Sequence, residues 1–193
     1  MGMKLAVFAS GTGSNFDAIM KAVKNGTLEA DVSLLVCDKI EASVVKKAQQ
    51  HLIDTVVFNP KCYESKAAYE EVLLKDLQSR GIDYVILAGF MRLIGPTLLE
   101  AYEHRIVNIH PSLLPAFPGK DAIGQALEKN VKVTGVTVHF VDNGMDTGPI
   151  IDQEAVRVEE GDTREAVQKK IQQVEHKLYP RVIQSLPVKE ESL

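Results

Sequence analysis

The residues of this sequence best suited to chemistry lie in the run Asn108-Ile109-His110-Pro111-Ser112-Leu113-Leu114-Pro115. A carboxamide donates to an oxygen on which negative charge develops, and an imidazole moves a proton near neutral pH. Asn108 and His110 are spaced i, i+2, and in an extended segment such residues share a face. Pro111 biases His110 away from helical geometry, and Pro115 does the same to Leu114. The short apolar run Ile106-Val107 reads as a strand that the chain leaves as an irregular loop. Asn108 and His110 are therefore expected near a strand end, on a stiff segment, pointing the same way. Such a pair suits attack on a carbonyl-like carbon. Taken alone it reads more simply as a turn cap and a satisfied loop histidine, and the surrounding elements change that balance.

Those elements alternate strand and helix. Residues 4–9 read as a buried strand, followed at once by Ser10-Gly11-Thr12-Gly13-Ser14-Asn15. Phe16, Ile19, Met20 and Val23 then recur at helical spacing until Asn25-Gly26 ends the helix. A strand, a Gly-rich turn and a helix present backbone N–H groups to an anion. The Ser10, Thr12 and Ser14 hydroxyls and the Asn15 amide are further donors. The spacing is neither Gly-x-Gly-x-x-Gly nor Walker A. It suits a single phosphate, or else a tight turn that needs glycine only for its backbone angles.

Strands follow at 32–37, 55–58 and 83–88, with helices at 42–51 and 63–80 between them. The near-continuous apolar run at 83–88 is what a parallel strand covered on both faces requires. A short helix at 97–102 leads to the Asn108 segment, and another is expected at 121–129. Residues 134–141 alternate cleanly and, with 150–158, suggest an antiparallel pair at the sheet edge. Asp162 and Glu165 have the spacing of a capping box for a last helix, with Val167, Ile171, Val174, Leu178 and Val182 as its buried stripe. Glu175 lies beside that stripe and reads as an exposed carboxylate. The fold class is α/β: a Rossmann-like, mostly parallel sheet with helices on both faces and an antiparallel edge pair. In such sheets ligands bind outside the carboxyl ends of the strands. The Gly-rich turn, the loop carrying Met91-Arg92-Leu93-Ile94 and the Asn108 segment all lie there. Met91, Leu93 and Ile94 could line an apolar slot for a flat ring.

The chain has 193 residues and a net charge of -4. That length fits one domain over 1–187 with a polar tail at 188–193. The charge gives no support for a nucleic-acid or membrane surface, and no apolar run reaches the roughly 20 residues of a bilayer span. Cys37 and Cys62 read as reduced thiols of a cytoplasmic protein. The histidines show no metal spacing and the cysteines no Cys-x-x-Cys, so no metal is expected.

With these features in place, the sequence resembles the glycinamide ribonucleotide formyltransferases of purine synthesis, which use 10-formyltetrahydrofolate. The resemblance rests on Ala-Ser-Gly-Thr-Gly-Ser-Asn at 9–15, Leu-Ala-Gly-Phe-Met-Arg at 87–92, the Asn108–Pro115 run, Met-Asp-Thr-Gly-Pro at 145–149 and Glu-His-Lys-Leu-Tyr-Pro at 175–180. It implies Asn108, His110 and Asp146 as the catalytic trio. It implies substrate phosphate on Gly13, Ser14 and Asn15, and substrate ribose near Glu175. The folate cosubstrate is implied against Lys66, Met91, Arg92, Leu93, Ile94 and Asn108, and against Asp142, Asn143, Gly144, Met145 and Asp146. Thr12 stands where many members carry Asn, and Lys66 where others carry Arg, a point charge in place of a bidentate grip. An Asp146 carboxylate beside the imidazole would favour its charged form. Thr137 and His139, on the neighbouring strand, would support the trio by ordering a proton-relay water. Gly144 and Gly148 are expected to let the 142–148 loop move.

Related readings are weaker. A methionyl-tRNA formyltransferase adds a C-terminal domain and a basic RNA face. A formyltetrahydrofolate hydrolase adds an N-terminal regulatory domain. A phosphate- or nucleotide-binding module leaves Asn108, His110 and Asp146 idle. A nicotinamide dehydrogenase would use an acid such as Asp38 but needs a different glycine turn. The partners expected are glycinamide ribonucleotide and formyl-folate, with the protein a monomer or homodimer.

Overall fold

The computed structural model describes residues 2–187. The expected polar tail at 188–193 lies outside the described residues. Seven strands form one sheet: β1 (Met3–Ala9), β2 (Ala30–Cys37), β3 (Asp54–Val57), β4 (Tyr84–Leu87), β5 (Ile106–His110), β6 (Val133–Phe140) and β7 (Ile150–Arg157). Their order is β3-β2-β1-β4-β5-β6-β7. The strands from β3 to β5 are parallel, and β6 runs antiparallel to both β5 and β7. From β1 the chain moves outward through β2 and β3, then returns to the other side of β1 as β4. This reversal opens a crevice at the carboxyl ends of β1 and β4.

Side-chain alternation sorts the core into two layers. Leu5, Val7, Ala9, Leu35 and Ile86 face one side, where they meet residues of α1 (Ser14–Lys24), α2 (Ser43–Gln50) and α6 (Arg164–Ser185). Ala6, Phe8, Leu34, Val36 and Val85 face the other, against α3 (Lys66–Ser79) and α4 (Pro96–Ala101). The short α5 (Ala122–Glu128) packs Ile123 and Leu127 onto the first layer. The buried Tyr179 hydroxyl lies 2.8 Å from the Leu87 carbonyl and 3.0 Å from that of Val107, bridging β4 and β5. Among the described residues no helix is long and apolar enough to cross a membrane.

Three of the boundaries that differ from the sequence reading trace to specific hydrogen bonds or strand pairing. The helix expected from 63 starts at Lys66, because the Ser65 hydroxyl accepts from the Ala68 N–H at 3.1 Å, and Pro60–Cys62 forms a separate 3-10 turn. The last helix is capped by Thr163, which accepts from Ala166 N at 3.2 Å. Asp162, expected as that cap, instead accepts from Glu159 N at 2.8 Å and Lys170 Nζ at 2.6 Å. The strand expected to end at Val107 runs on to His110, since β6 pairs Asn108 with His139 and His110 with Thr137. Asn108 and His110 are thus strand residues, held by a ladder rather than by a loop.

Candidate active site

Pairing with β6 sets the chemical residues face to face. Asn108 Nδ2 lies 3.2 Å from His139 Nε2. His139 Nδ1 is 2.8 Å from the Phe140 carbonyl, which requires a proton on Nδ1. Burial also holds His139 below the ordinary histidine range, against the opposing pull of the Phe140 carbonyl and Asp146. A neutral ring with Nδ1–H leaves Nε2 as an acceptor. Asn108 Nδ2 therefore donates one N–H to His139 and keeps the second for another partner.

His110 has the opposite surroundings. Its Nε2 is 2.9 Å from the Phe117 carbonyl, and its Nδ1 is 3.4 Å from Asp146 Oδ2. Both nitrogens thus face oxygen atoms, a backbone carbonyl on one side and a carboxylate on the other. Because Nε2 is committed to Phe117, Nδ1 is the edge left for chemistry. Asp146 is fixed by the Gly119 N–H, 2.7 Å from Oδ2, while its Oδ1 stands 3.7 Å from His139 Nε2. Asp146 has φ 57, a left-handed backbone that Asp tolerates better than most residues.

Thr137 does a different job from the one expected. Its hydroxyl donates to Ser112 O at 2.7 Å and accepts from Leu114 N at 3.0 Å and Gln153 Nε2 at 2.9 Å. With donor and both acceptor positions used, it has nothing left to order a water. It pins the loop after β5 instead, and Gln153 helps by donating to Leu114 O at 2.9 Å.

The Gly-rich turn leads into α1 through Gly13, at φ 77. A Cβ there would lie 2.6 Å from Val44 Cγ2, so glycine is needed for both backbone angle and space. No side chain caps α1, so its first-turn N–H groups remain available to an anion. Ser10, counted among the turn's donors, is buried and turned away, its hydroxyl accepting from Met91 N at 2.9 Å. Asn15 is buried beside α6, where its Nδ2 donates to Glu175 Oε2 at 3.4 Å. Glu175 is 8 % exposed, not the surface carboxylate expected. Burial pushes its carboxyl up to about 7, partly offset by the Asn15 hydrogen bond.

The loop between β4 and α4 carries Met91 and Leu93, both exposed, and Ile94, which is buried in the core layer with α3 and α4. Of the expected apolar slot, Met91 and Leu93 are thus open and Ile94 is part of the packing. Arg92 Nε donates to Asp38 Oδ2 at 2.7 Å, and Lys66 packs beside Gly95. In the 142–148 loop, Asp142 Oδ1 accepts from Gly144 N at 2.9 Å and Thr147 Oγ1 at 2.7 Å, while Asn143 and Met145 are exposed. Gly144 and Gly148, expected as pivots, have a steric reason. A Cβ at Gly144 would collide with Thr147 Oγ1, and one at Gly148 with the Phe140 carbonyl.

Sequence reasoning passed over Gln153, Phe117 and Glu70, and weighed Asp38 only as the acid of a dehydrogenase. The first two act through edge-strand position and a backbone carbonyl, which leave no residue-type signal. Glu70 did leave one: with Leu73 and Leu77 it follows i, i+3, i+7 spacing on the buried stripe of α3.

Comparison with known proteins gives a consistent picture. The pattern of the formyl transferase family matches residues 3–183. A phosphoribosylglycinamide formyltransferase of Bacillus subtilis is 54% identical over 183 residues, covering 95% of this chain and 94% of that protein. The human trifunctional purine biosynthetic protein adenosine-3 is 39% identical over 94% of this chain, which spans 18% of its length. Among solved structures, glycinamide ribonucleotide transformylase 1 of Geobacillus kaustophilus superposes with a TM-score of 0.93 at 58% identity, covering 95% of this chain and 98% of that one.

Proposed function

The chain belongs to the formyl transferase family, and we propose that it transfers the formyl group of 10-formyltetrahydrofolate to the amine of N1-(5-phospho-D-ribosyl)glycinamide. The products are the N-formyl ribonucleotide and tetrahydrofolate, in cytoplasmic purine synthesis, made by a single domain over 1–187. The observation that carries this reading is the meeting of His110 and Asp146, with Nδ1 3.4 Å from Oδ2, next to an Asn108 amide with one free N–H.

The substrate phosphate docks on the first-turn N–H groups beyond Gly13, with Ser14 and Asn15 completing the cradle. Glu175 accepts from the ribose hydroxyls. The pterin lies between the loop of Met91, Arg92, Leu93 and Ile94 and the loop from Asp142 to Asp146. The substrate amine attacks the formyl carbon, forming the new C–N bond and placing negative charge on the formyl oxygen. The free N–H of Asn108 and the charged His110 stabilise that oxygen. The C–N10 bond then breaks as His110 Nδ1 relays the proton lost by the attacking nitrogen to N10. Asp146, with Oδ2 3.4 Å from Nδ1, holds the ring in place as Nδ1 gives its proton to N10 and takes one from the attacking nitrogen.

The deciding experiment follows folate release from 10-formyltetrahydrofolate with and without glycinamide ribonucleotide. Release only in its presence is expected. Equal release in its absence would make the protein a hydrolase, and no turnover in either case would leave a phosphate-binding module.

A further inference from the structure

The segment between β4 and α4 is tied down from three elements. At the end of β1, Ser10 Oγ accepts from Met91 N at 2.9 Å. Just past β2, Asp38 accepts from Arg92 Nε at 2.7 Å. On α3, Glu70 Oε1 accepts from Gly95 N at 2.6 Å. The Asp38 and Glu70 side chains are 3% and 2% exposed. In each carboxylate one oxygen holds the loop, while Asp38 Oδ1 and Glu70 Oε2 are buried without a partner among the described residues. Burying a carboxylate with half of its acceptor capacity unused is costly. Glu70 also occupies the apolar stripe of α3 beside Leu73 and Leu77, where a leucine would pack at no such cost. An arrangement of this kind calls for a reason beyond packing.

The consequences all fall on the loop and its two cations. Lys66, one turn before Glu70, holds its Nζ 4.0 Å from Oε1 with the side chain 42% exposed. Arg92 meets Asp38 through Nε, with its side chain 38% exposed. Gly95 seats its backbone against both neighbours: an added Cβ would lie 2.6 Å from Glu70 Oε2 and 2.9 Å from Lys66 Cε.

We propose that Glu70 is a positioning residue for the folate cosubstrate, gripping the Gly95 amide and steering Lys66 so that the loop 89–95 is held ready to receive it. Asp38 does the same for Arg92 at the other end of the loop. The inference rests on the folate role proposed above for that loop. It assigns Glu70 to cosubstrate binding alone, since neither Glu70 nor Gly95 touches the phosphate turn.

The test is steady-state kinetics with each substrate varied in turn, for wild type, Glu70→Ala, Gly95→Ala and Glu70→Gln. Loss of one charge-assisted hydrogen bond predicts a rise of about tenfold in the KM for 10-formyltetrahydrofolate in the two alanine variants. The KM for the ribonucleotide and kcat should stay within about twofold. Glu70→Gln keeps an oxygen for Gly95 N and should restore most of the folate KM. An unchanged folate KM, or both KM values rising together, overturns the inference. If Glu70→Ala does not fold, Gly95→Ala decides, because it displaces the carboxylate without removing it. Folate release by wild type without ribonucleotide would overturn the transferase reading instead, and the folate KM could still be compared in that hydrolysis.

Discussion

Replacing Glu175 with Gln should make the protein more stable and a poorer enzyme, by amounts that depend on pH. Burial raises the Glu175 carboxyl from 4.5 to about 7. The folded state then holds this proton more tightly than the unfolded chain. Its stabilising contribution is fully present below about pH 4.5 and is lost as pH rises through about 7. The whole loss is about 3 kcal/mol, of which about 2 kcal/mol falls between roughly pH 5.5 and pH 8. A glutamine cannot ionise, and its carbonyl still accepts from Asn15 Nδ2. Glu175→Gln should therefore exceed wild type by about 1 kcal/mol near pH 5.5 and about 3 kcal/mol near pH 8. Urea unfolding at the two pH values measures the difference directly. An equal gain at both would refute the argument, because it would mean that the carboxyl titrates alike in the folded and unfolded states. The same variant should raise the ribonucleotide KM about tenfold, as an amide replaces a charged acceptor for the ribose hydroxyls.

Other substitutions test the rest of the site. Asp146→Asn should lower kcat by about a hundredfold and shift the pH profile of the remaining activity; if rate and profile are both unchanged, the His110–Asp146 pairing has no catalytic role. Thr137→Val leaves Ser112 O and Leu114 N without their partner and should cost about 2–3 kcal/mol in denaturant unfolding; wild-type stability would mean the loop holds itself. Hydrogen exchange across 142–148 should slow when folate and ribonucleotide are added together, and unchanged exchange would count against closure of that loop. Gly148→Ala, whose Cβ would meet the Phe140 carbonyl, should speed exchange in the same segment of the free protein.

The parallel sheet and the gathering of loops at its carboxyl edge were readable from the chain because strand–helix alternation leaves few ways to wind such a sheet. The edge pair was readable from the alternation of 134–141. What the periodicity misjudged were residues whose place is set by partners distant in sequence. Asn108 and His110 belong to a strand only because β6 lies alongside. Thr137 looked free to hold water because its partners Ser112, Leu114 and Gln153 come from two other segments. Glu175 is a different case, since its burial was already written in the sequence. It stands four residues after Ile171 and three before Leu178, on the stripe rather than beside it. A carboxylate on an apolar stripe is costly unless something uses it, and Glu70 on α3 repeats the pattern. A charged residue that interrupts an apolar stripe is thus a better clue to a buried polar contact than an apolar loop residue is to an open slot, as the burial of Ile94 shows.

The site also gives two histidines near one carboxylate different surroundings. Asp146 stands 3.4 Å from His110 Nδ1 and 3.7 Å from His139 Nε2, so its own attraction hardly separates them. The difference comes from their other neighbours. His139 faces a donor in Asn108, and a proton on Nε2 would set two N–H groups against each other. His110 faces the Phe117 carbonyl, 2.9 Å from its Nε2. His139, held neutral by burial, aims the Asn108 amide, while Phe117 holds the His110 ring with Nδ1 toward Asp146. Phe117 itself is held at φ 55 in the segment between β5 and α5. The hydrogen bonds of Thr137 to Ser112 and Leu114 anchor the start of that segment. The orientation of the His110 ring thus depends on a loop that contributes no reactive side chain. Thr137→Val should accordingly lower kcat as well as stability, and a wild-type kcat would show that Phe117 keeps its place without the anchor.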